Sequence, residues 1–105
     1  MQDVLEDFVR TVEEASARLL SLTEAEASVP LTEGKWSSKE VIGHLVDSAS
    51  NNHQRFVRAQ LKEDLVFEGY AQEDWVRLQG YRDEPWPLLV NLWKFYNLHL
   101  AHVCR

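Results

Sequence analysis

KWSSKEVIGHLVDSASNNHQRFVR, Lys35 to Arg58, carries a helix start, a helix body and a polar line along one helix face. Ser37 is followed three residues later by Glu40, the S-x-x-E spacing of a capping box, in which each side chain satisfies the other residue's unpaired backbone N–H. Trp36, just before the cap, is placed to act as a hydrophobic staple. Beyond Gly43 no Gly or Pro interrupts the run, which predicts a helix to about Leu61 or Lys62. At about 100° per residue, His44, Asp47, Ser48, Asn51, Arg55 and Arg58 fall on one line, and Val41, Ile42, Leu45, Ala49, Phe56 and Ala59 on the adjacent arc. That arc is the expected core face. His44 lies on its border with the polar line, where an imidazole can hold a metal or move a proton. Asp47, one turn on, is placed either to orient His44 or to pair with Arg55. By pattern alone the line is a solvated helix flank with one boundary histidine.

Working outward, residues Asp3 to Leu22 place Val4, Leu5, Phe8, Val9, Val12, Ala15, Leu19 and Leu20 at three- and four-residue intervals, the spacing of an amphipathic helix. Asp3, Glu6 and Asp7 in its first turns and Arg18 near its end suit the helix dipole. Thr23 to Trp36, with Pro30 and Gly34, reads as loop. Lys62 to Arg82 reads as a long connection with a short helix at Gln72 to Leu78. A third long helix begins near Glu84 to Pro87, because proline is tolerated in a first turn whose N–H groups lack partners anyway. From Leu88 to Val103 apolar residues occupy nearly every side of it, so it demands burial all round. Two other helices cannot provide that.

The whole chain is 105 residues and 12.2 kDa, enough for one domain. It carries a formal charge of −6, and the surplus is local: residues 1–34 hold eight acids and two bases, residues 35–105 nine of each. With bases scattered singly among acids, nucleic acid is excluded as the expected partner. No apolar run reaches the ~20 residues of a membrane span, and the acidic first ten residues do not suit a signal peptide. The expected compartment is the cytoplasm, and one cysteine, Cys104, is in keeping with it. There is no glycine-rich phosphate loop, no C-x-x-C and no H-E-x-x-H.

The Trp36-Ser37 start, the H-L-x-D of His44 to Asp47 and the basic residues further down the same helix resemble the DinB-like (YfiT-like) superfamily of four-helix-bundle metalloenzymes. Trp75, Tyr81 and the apolar helix after Pro85 look like that family's passage into its third helix. The resemblance implies an all-α, up-down bundle over residues 1–105. It also implies a divalent metal, commonly nickel, zinc or iron, held by one histidine of the second helix and two from an H-x-x-x-H pair on the fourth. His44 matches the first ligand. In this role Asp47 would orient it and Arg55 would bind an anion near the site.

The chain holds three long helices, and the expectation is a bundle shortened by the fourth. Its H-x-x-x-H pair is then missing, and the metal site is incomplete or carries no metal. His99 and His102, three apart on the last helix, are weaker candidate ligands, and His53 projects about 180° away from His44. A missing helix leaves an apolar seam, which predicts a homodimer through the third helix. The functional expectation is therefore a dimeric binding or interaction module with a small-molecule ligand. Its alternative is a metal-dependent enzyme of thiol-transferase or hydrolase type. No catalytic residue is assigned, and Cys104 beside the terminus reads as inert rather than nucleophilic.

Overall fold

A computed structural model describes residues 2–61 and 69–104. The described residues are helical: α1 (Gln2–Leu20), α2 (Glu24–Ser28), α3 (Ser38–Leu61), α4 (Gln72–Gln79), a 3₁₀ turn (Tyr81–Asp83) and α5 (Trp86–Val103). The all-α class and the three long helices expected from periodicity are present. The ends of the connection at Lys62 and of the chain at Arg105 lie outside the described residues.

α2 and α3 start where side chains replace missing backbone partners. At α3 the Ser37 N–H donates to Glu40 Oε1 at 3.0 Å and the Glu40 N–H to Ser37 Oγ at 3.3 Å, as the S-x-x-E spacing demands. The segment from Thr23 to Trp36 is not all loop. Thr23 and Glu26 make a second capping box of the same kind, with bonds of 2.9 and 3.1 Å, and nucleate the single turn α2. For the same reason α1 stops at Leu20 rather than Leu22: the N–H groups of Ser21 and Leu22 close back three residues to Arg18 and Leu19, and the chain turns into Thr23.

Glu24 then ties three elements together. Its Oε2 meets Lys39 Nζ at 2.8 Å, and its Oε1 accepts the Trp86 N–H at 2.6 Å, one of the unpaired donors at the start of α5. The Trp86 indole N–H donates to the Leu19 carbonyl at 2.7 Å. Trp86 is thus fully buried without an unsatisfied N–H. Around it lie Ala27, Ile42, Val76, Tyr81, Leu89 and Val90, with Leu19, Leu22, Trp36 and Trp93 at the margin. α5 packs on both α1 and α3, and α4 packs on α3.

Two expectations about faces need correction. The core face of α3 is centred on Ile42, Gly43, Val46, Asp47 and Ala49, whereas Leu45, Phe56 and Ala59 are exposed. The burial has shifted by part of a turn because α4 and the 3₁₀ turn cover the flank that carries Asp47. α5, in turn, is not buried all round: Leu88, Leu92 and Phe95 face outward.

Gly43 is where the covering segment touches α3. A Cβ at this position would fall inside the Tyr81 ring, on its body rather than on a flexible tip. Gly43→Ala should therefore lower stability, although an alanine in a helix ordinarily gains about 1 kcal/mol over glycine. Overpacking of this kind costs about 1–3 kcal/mol, a fall in Tm of at least about 4 °C per kcal/mol at this size. Gly69→Ala, at a position with open space around it, should leave the thermal melt unchanged.

Candidate functional site

The polar line on α3 does not meet solvent uniformly, because the backbone between α4 and α5 returns to cover part of it. Gly80 adopts a left-handed conformation, φ 62°, that ends α4 and turns the chain into Tyr81. The Tyr81 side chain then lies over Gly43 and its hydroxyl donates to Asp47 Oδ1 at 2.6 Å. Gln79 Nε2 donates to the same oxygen at 2.7 Å and to the Trp75 carbonyl at 3.1 Å. Gln79 Oε1 lies 2.9 Å from the Tyr81 hydroxyl, so phenol, amide and carboxylate form a closed triangle.

Asp47 is 2% exposed, and its second oxygen, Oδ2, is buried without a hydrogen-bond partner among the described residues. One turn earlier, His44 Nδ1 is likewise buried and without a partner. The His44 ring rests against Trp36, with centroids 5.3 Å apart. A buried polar atom without a partner costs about 1–3 kcal/mol, and here two lie one turn apart on α3. Burial pushes the Tyr81 phenol well above its ordinary value of 10.0, and the bond to Asp47 and its charge add to the shift. At the helix start, burial would raise the Glu40 carboxyl. The Ser37 N–H, with Arg82 and the Ser37 side chain, outweighs this and holds it below its usual range.

In front of this network opens a cleft of about 750 Å³ between the Pro30–Trp36 segment and α4 with its 3₁₀ turn. Trp36 and Tyr81 form its apolar walls, and Lys35, Glu40, Arg77 and Arg82 are among its charged lining. Arg82 Nε is bound to Glu40 Oε1 at 3.0 Å. The two walls are thus the residues that touch His44 and Asp47 from the other side.

The remaining candidates lie elsewhere. Arg55 stands eight residues beyond Asp47 on α3 and is half-buried. His53 faces away from His44, as the helix geometry requires, and meets α5: its Nδ1 lies 2.9 Å from the Tyr96 hydroxyl. The His99 ring packs edge-on against it at 5.3 Å, and His102 stacks on His99 at 6.2 Å. The three-residue spacing pairs His99 with His102, and the structure adds His53 to them. The signal was there, in a histidine pointing to the side of α3 away from His44. Cys104 is exposed.

As a metal centre the described residues are incomplete. No group of three or more His, Cys, Asp or Glu among them is arranged to hold an ion. His44 offers a buried imidazole nitrogen and Asp47 a carboxylate oxygen, fewer than the roughly three or four donors of a stable divalent site.

The model of the DinB superfamily matches residues 7–102. The chain belongs to the DinB superfamily. Its curated relatives include a "Putative metal-dependent hydrolase" of Bacillus mycoides (strain KBAB4), 24% identical over 102 residues, covering 93% of this chain and 57% of the relative. Proteins of the same description from Bacillus cereus (strain AH820) and Bacillus thuringiensis subsp. konkukian match with the same identity and coverage. The chain spans 57% of the length of these DinB relatives. No solved structure matches it.

The Tyr81–Asp47 bond has a direct spectroscopic consequence. The folded-state pKa of Tyr81 lies above its unfolded value, so the stability it contributes is full below about pH 10 and is lost as pH rises beyond that. In an alkaline titration followed by phenolate absorbance, the parent should retain a resistant phenol until it unfolds. Tyr81→Phe should lack this resistant fraction and be less stable at neutral pH by about 1–3 kcal/mol. Superimposable titration curves would place the Asp47 contact in doubt.

Proposed function

We propose that this DinB-superfamily chain is a helical binding module that takes a small molecule in the cleft between Trp36 and Tyr81 and that works as an assembly rather than alone. The observation that carries the reading is the shared wall. The aromatic faces that line the cleft are fixed from behind by His44 and by the buried Asp47, so its shape is set before a ligand arrives. A volume of about 750 Å³ lies within the usual range for small-molecule sites, roughly 300–1,000 Å³. Lys35, Arg77 and Arg82 share its lining with Glu40, Glu73, Asp74 and Asp83, which suits a ligand with both an apolar body and polar groups.

In this reading His44 and Asp47 support the cleft, and the metal set is incomplete among the described residues. Arg55 lies farther along α3 and takes no part in the cleft wall. His99 and His102 belong to the α5 surface.

One observation favours a second reading, a metal-dependent hydrolase or thiol transferase. His44 Nδ1 is buried with no partner among the described residues, and relatives of similar sequence carry the name "Putative metal-dependent hydrolase". Under this reading His44 would be one donor to nickel, zinc or iron, Asp47 would hold its orientation, and further donors would come from outside the described residues. A bound divalent ion supplies a polarising charge for hydrolysis or transfer.

Titration calorimetry of untagged protein with nickel and with zinc separates the two. The module reading predicts no stoichiometric binding tighter than tens of micromolar and no change in the heats on His44→Ala. Stoichiometric binding that His44→Ala abolishes, and that His99→Ala and His102→Ala leave intact, would overturn it in favour of the metal-dependent enzyme.

A further inference from the structure

Of the charged residues that line the cleft between Trp36 and Tyr81, Glu40 alone is buried, with a side chain 10% exposed. Its Oε1 accepts from two donors of its own helix start, the Ser37 N–H at 3.0 Å and the Ser37 hydroxyl at 3.2 Å. The remaining donor comes from outside: Arg82 Nε at 3.0 Å, on a side chain 65% exposed. The anion is therefore fixed by the helix it caps, whereas the cation on it is a long surface side chain that loses rotamer freedom to stay there. The aromatic walls also suit a cation. Trp36 is half-buried, with one side of its ring against His44, and the face of an aromatic ring attracts positive charge, an indole most strongly. The rest of the lining tips the same way. Asp74 is paired with Arg77 at 3.2 Å and Glu40 with Arg82, which leaves Glu73, Asp83 and Lys35 without an ion pair among the described residues, two acids to one base. The chain as a whole carries −6, and such a field draws cations toward it.

We infer that the cleft binds an organic cation, a flat apolar body carrying one ammonium or guanidinium group, with the charge seated on Glu40 in place of the Arg82 guanidinium and the body against Trp36. This rests on the small-molecule reading of the cleft and names the class of that molecule. Arg82 is then a competitor supplied by the protein itself: it neutralises Glu40 before a ligand arrives and turns into solvent afterwards. A rigid ligand brings apolar surface to bury together with its charge, which the exposed Arg82 chain does not, so the exchange favours the ligand. The capping box survives the exchange, because the Ser37 N–H and the Glu40 N–H keep their bonds. An anion in the same place would face the buried Glu40 carboxylate, and two of the three bases of the lining, Arg77 and Arg82, are already neutralised by Asp74 and Glu40.

Three probes with the same flat body test this on the protein as it exists: naphthylmethylammonium, the neutral naphthylmethanol and the anion naphthoate. Binding at neutral pH is followed by the Trp36 indole N–H resonance in the NMR spectrum, assigned with Trp36→Phe. The ammonium should bind at least about tenfold more tightly than the alcohol, and naphthoate more weakly than either. Glu40→Gln keeps an acceptor for the Ser37 N–H; it should bring the ammonium down to the affinity of the alcohol and leave the alcohol unchanged. Arg82→Ala, at an exposed side chain, should tighten the ammonium by about three- to tenfold, and it reads the same exchange should Glu40→Gln fail to fold. Tightest binding by naphthoate, an ammonium indifferent to both substitutions, or an ammonium weakened by Arg82→Ala would each overturn the inference and leave the small-molecule reading of the cleft standing. If none of the probes moves the Trp36 resonance at about 1 mM, weaker than any useful affinity for such a site, that reading falls and the inference with it.

Discussion

A carboxylate 2% exposed inside a 105-residue protein needs strong donors, and here Tyr81 and Gln79 both donate to one of its oxygens, Oδ1. Removing Asp47 from water carries a desolvation cost that only short, charge-assisted bonds offset. The phenol at 2.6 Å is such a bond, and its geometry dictates much around it. Tyr81 reaches Asp47 only by crossing Gly43, where α3 has no side chain. The 3₁₀ turn must lie flat on α3 for the ring to do so, and the left-handed Gly80 brings it there. Once Tyr81 is fixed, α4 is fixed behind it, the cleft gains a wall, and α5 starts from Trp86 at a defined place.

A second set of constraints acts at helix ends. Glu24 and Glu40 are both acids near the start of a helix, and both reach a partner outside it: Glu24 binds Lys39 and the Trp86 N–H, and Glu40 binds Arg82. Long-range order in this small protein therefore comes from capping groups that serve two elements at once. The apolar cluster around Trp86 supplies the bulk of the burial, and these polar ties set how its pieces are arranged. The same economy leaves one side of α5 outside the core.

Local signals were readable in proportion to their range. The Ser37–Glu40 box, the apolar period of α1 and the proline-marked start of α5 depend on neighbours within a turn or two, and each is in place. Thr23-Glu24-Ala25-Glu26 carries the same signal as Ser37 to Glu40, but nearby Pro30 and Gly34 give the segment the composition of a loop. The burial of Asp47 was not readable, because it is covered by Gln79 and Tyr81, more than thirty positions away, and a carboxylate on a polar line looks solvated. Gly43 looked like an ordinary weak point of a helix, and its purpose emerges only with the Tyr81 ring above it. His53, His99 and Tyr96 come together for a similar reason, since their meeting depends on how α3 crosses α5. The H-L-x-D resemblance pointed to the right superfamily, while the donor set it implies is not assembled among the described residues.

Tyr81 and Asp47 stabilise the fold jointly and not as two independent side chains. A double-mutant cycle by urea unfolding, comparing Tyr81→Phe, Asp47→Ala and the double variant, measures that coupling directly. The account predicts an interaction energy of at least about 1.5 kcal/mol, the size expected for a hydrogen bond to a charged group. Losses that add to within about 0.3 kcal/mol would contradict it.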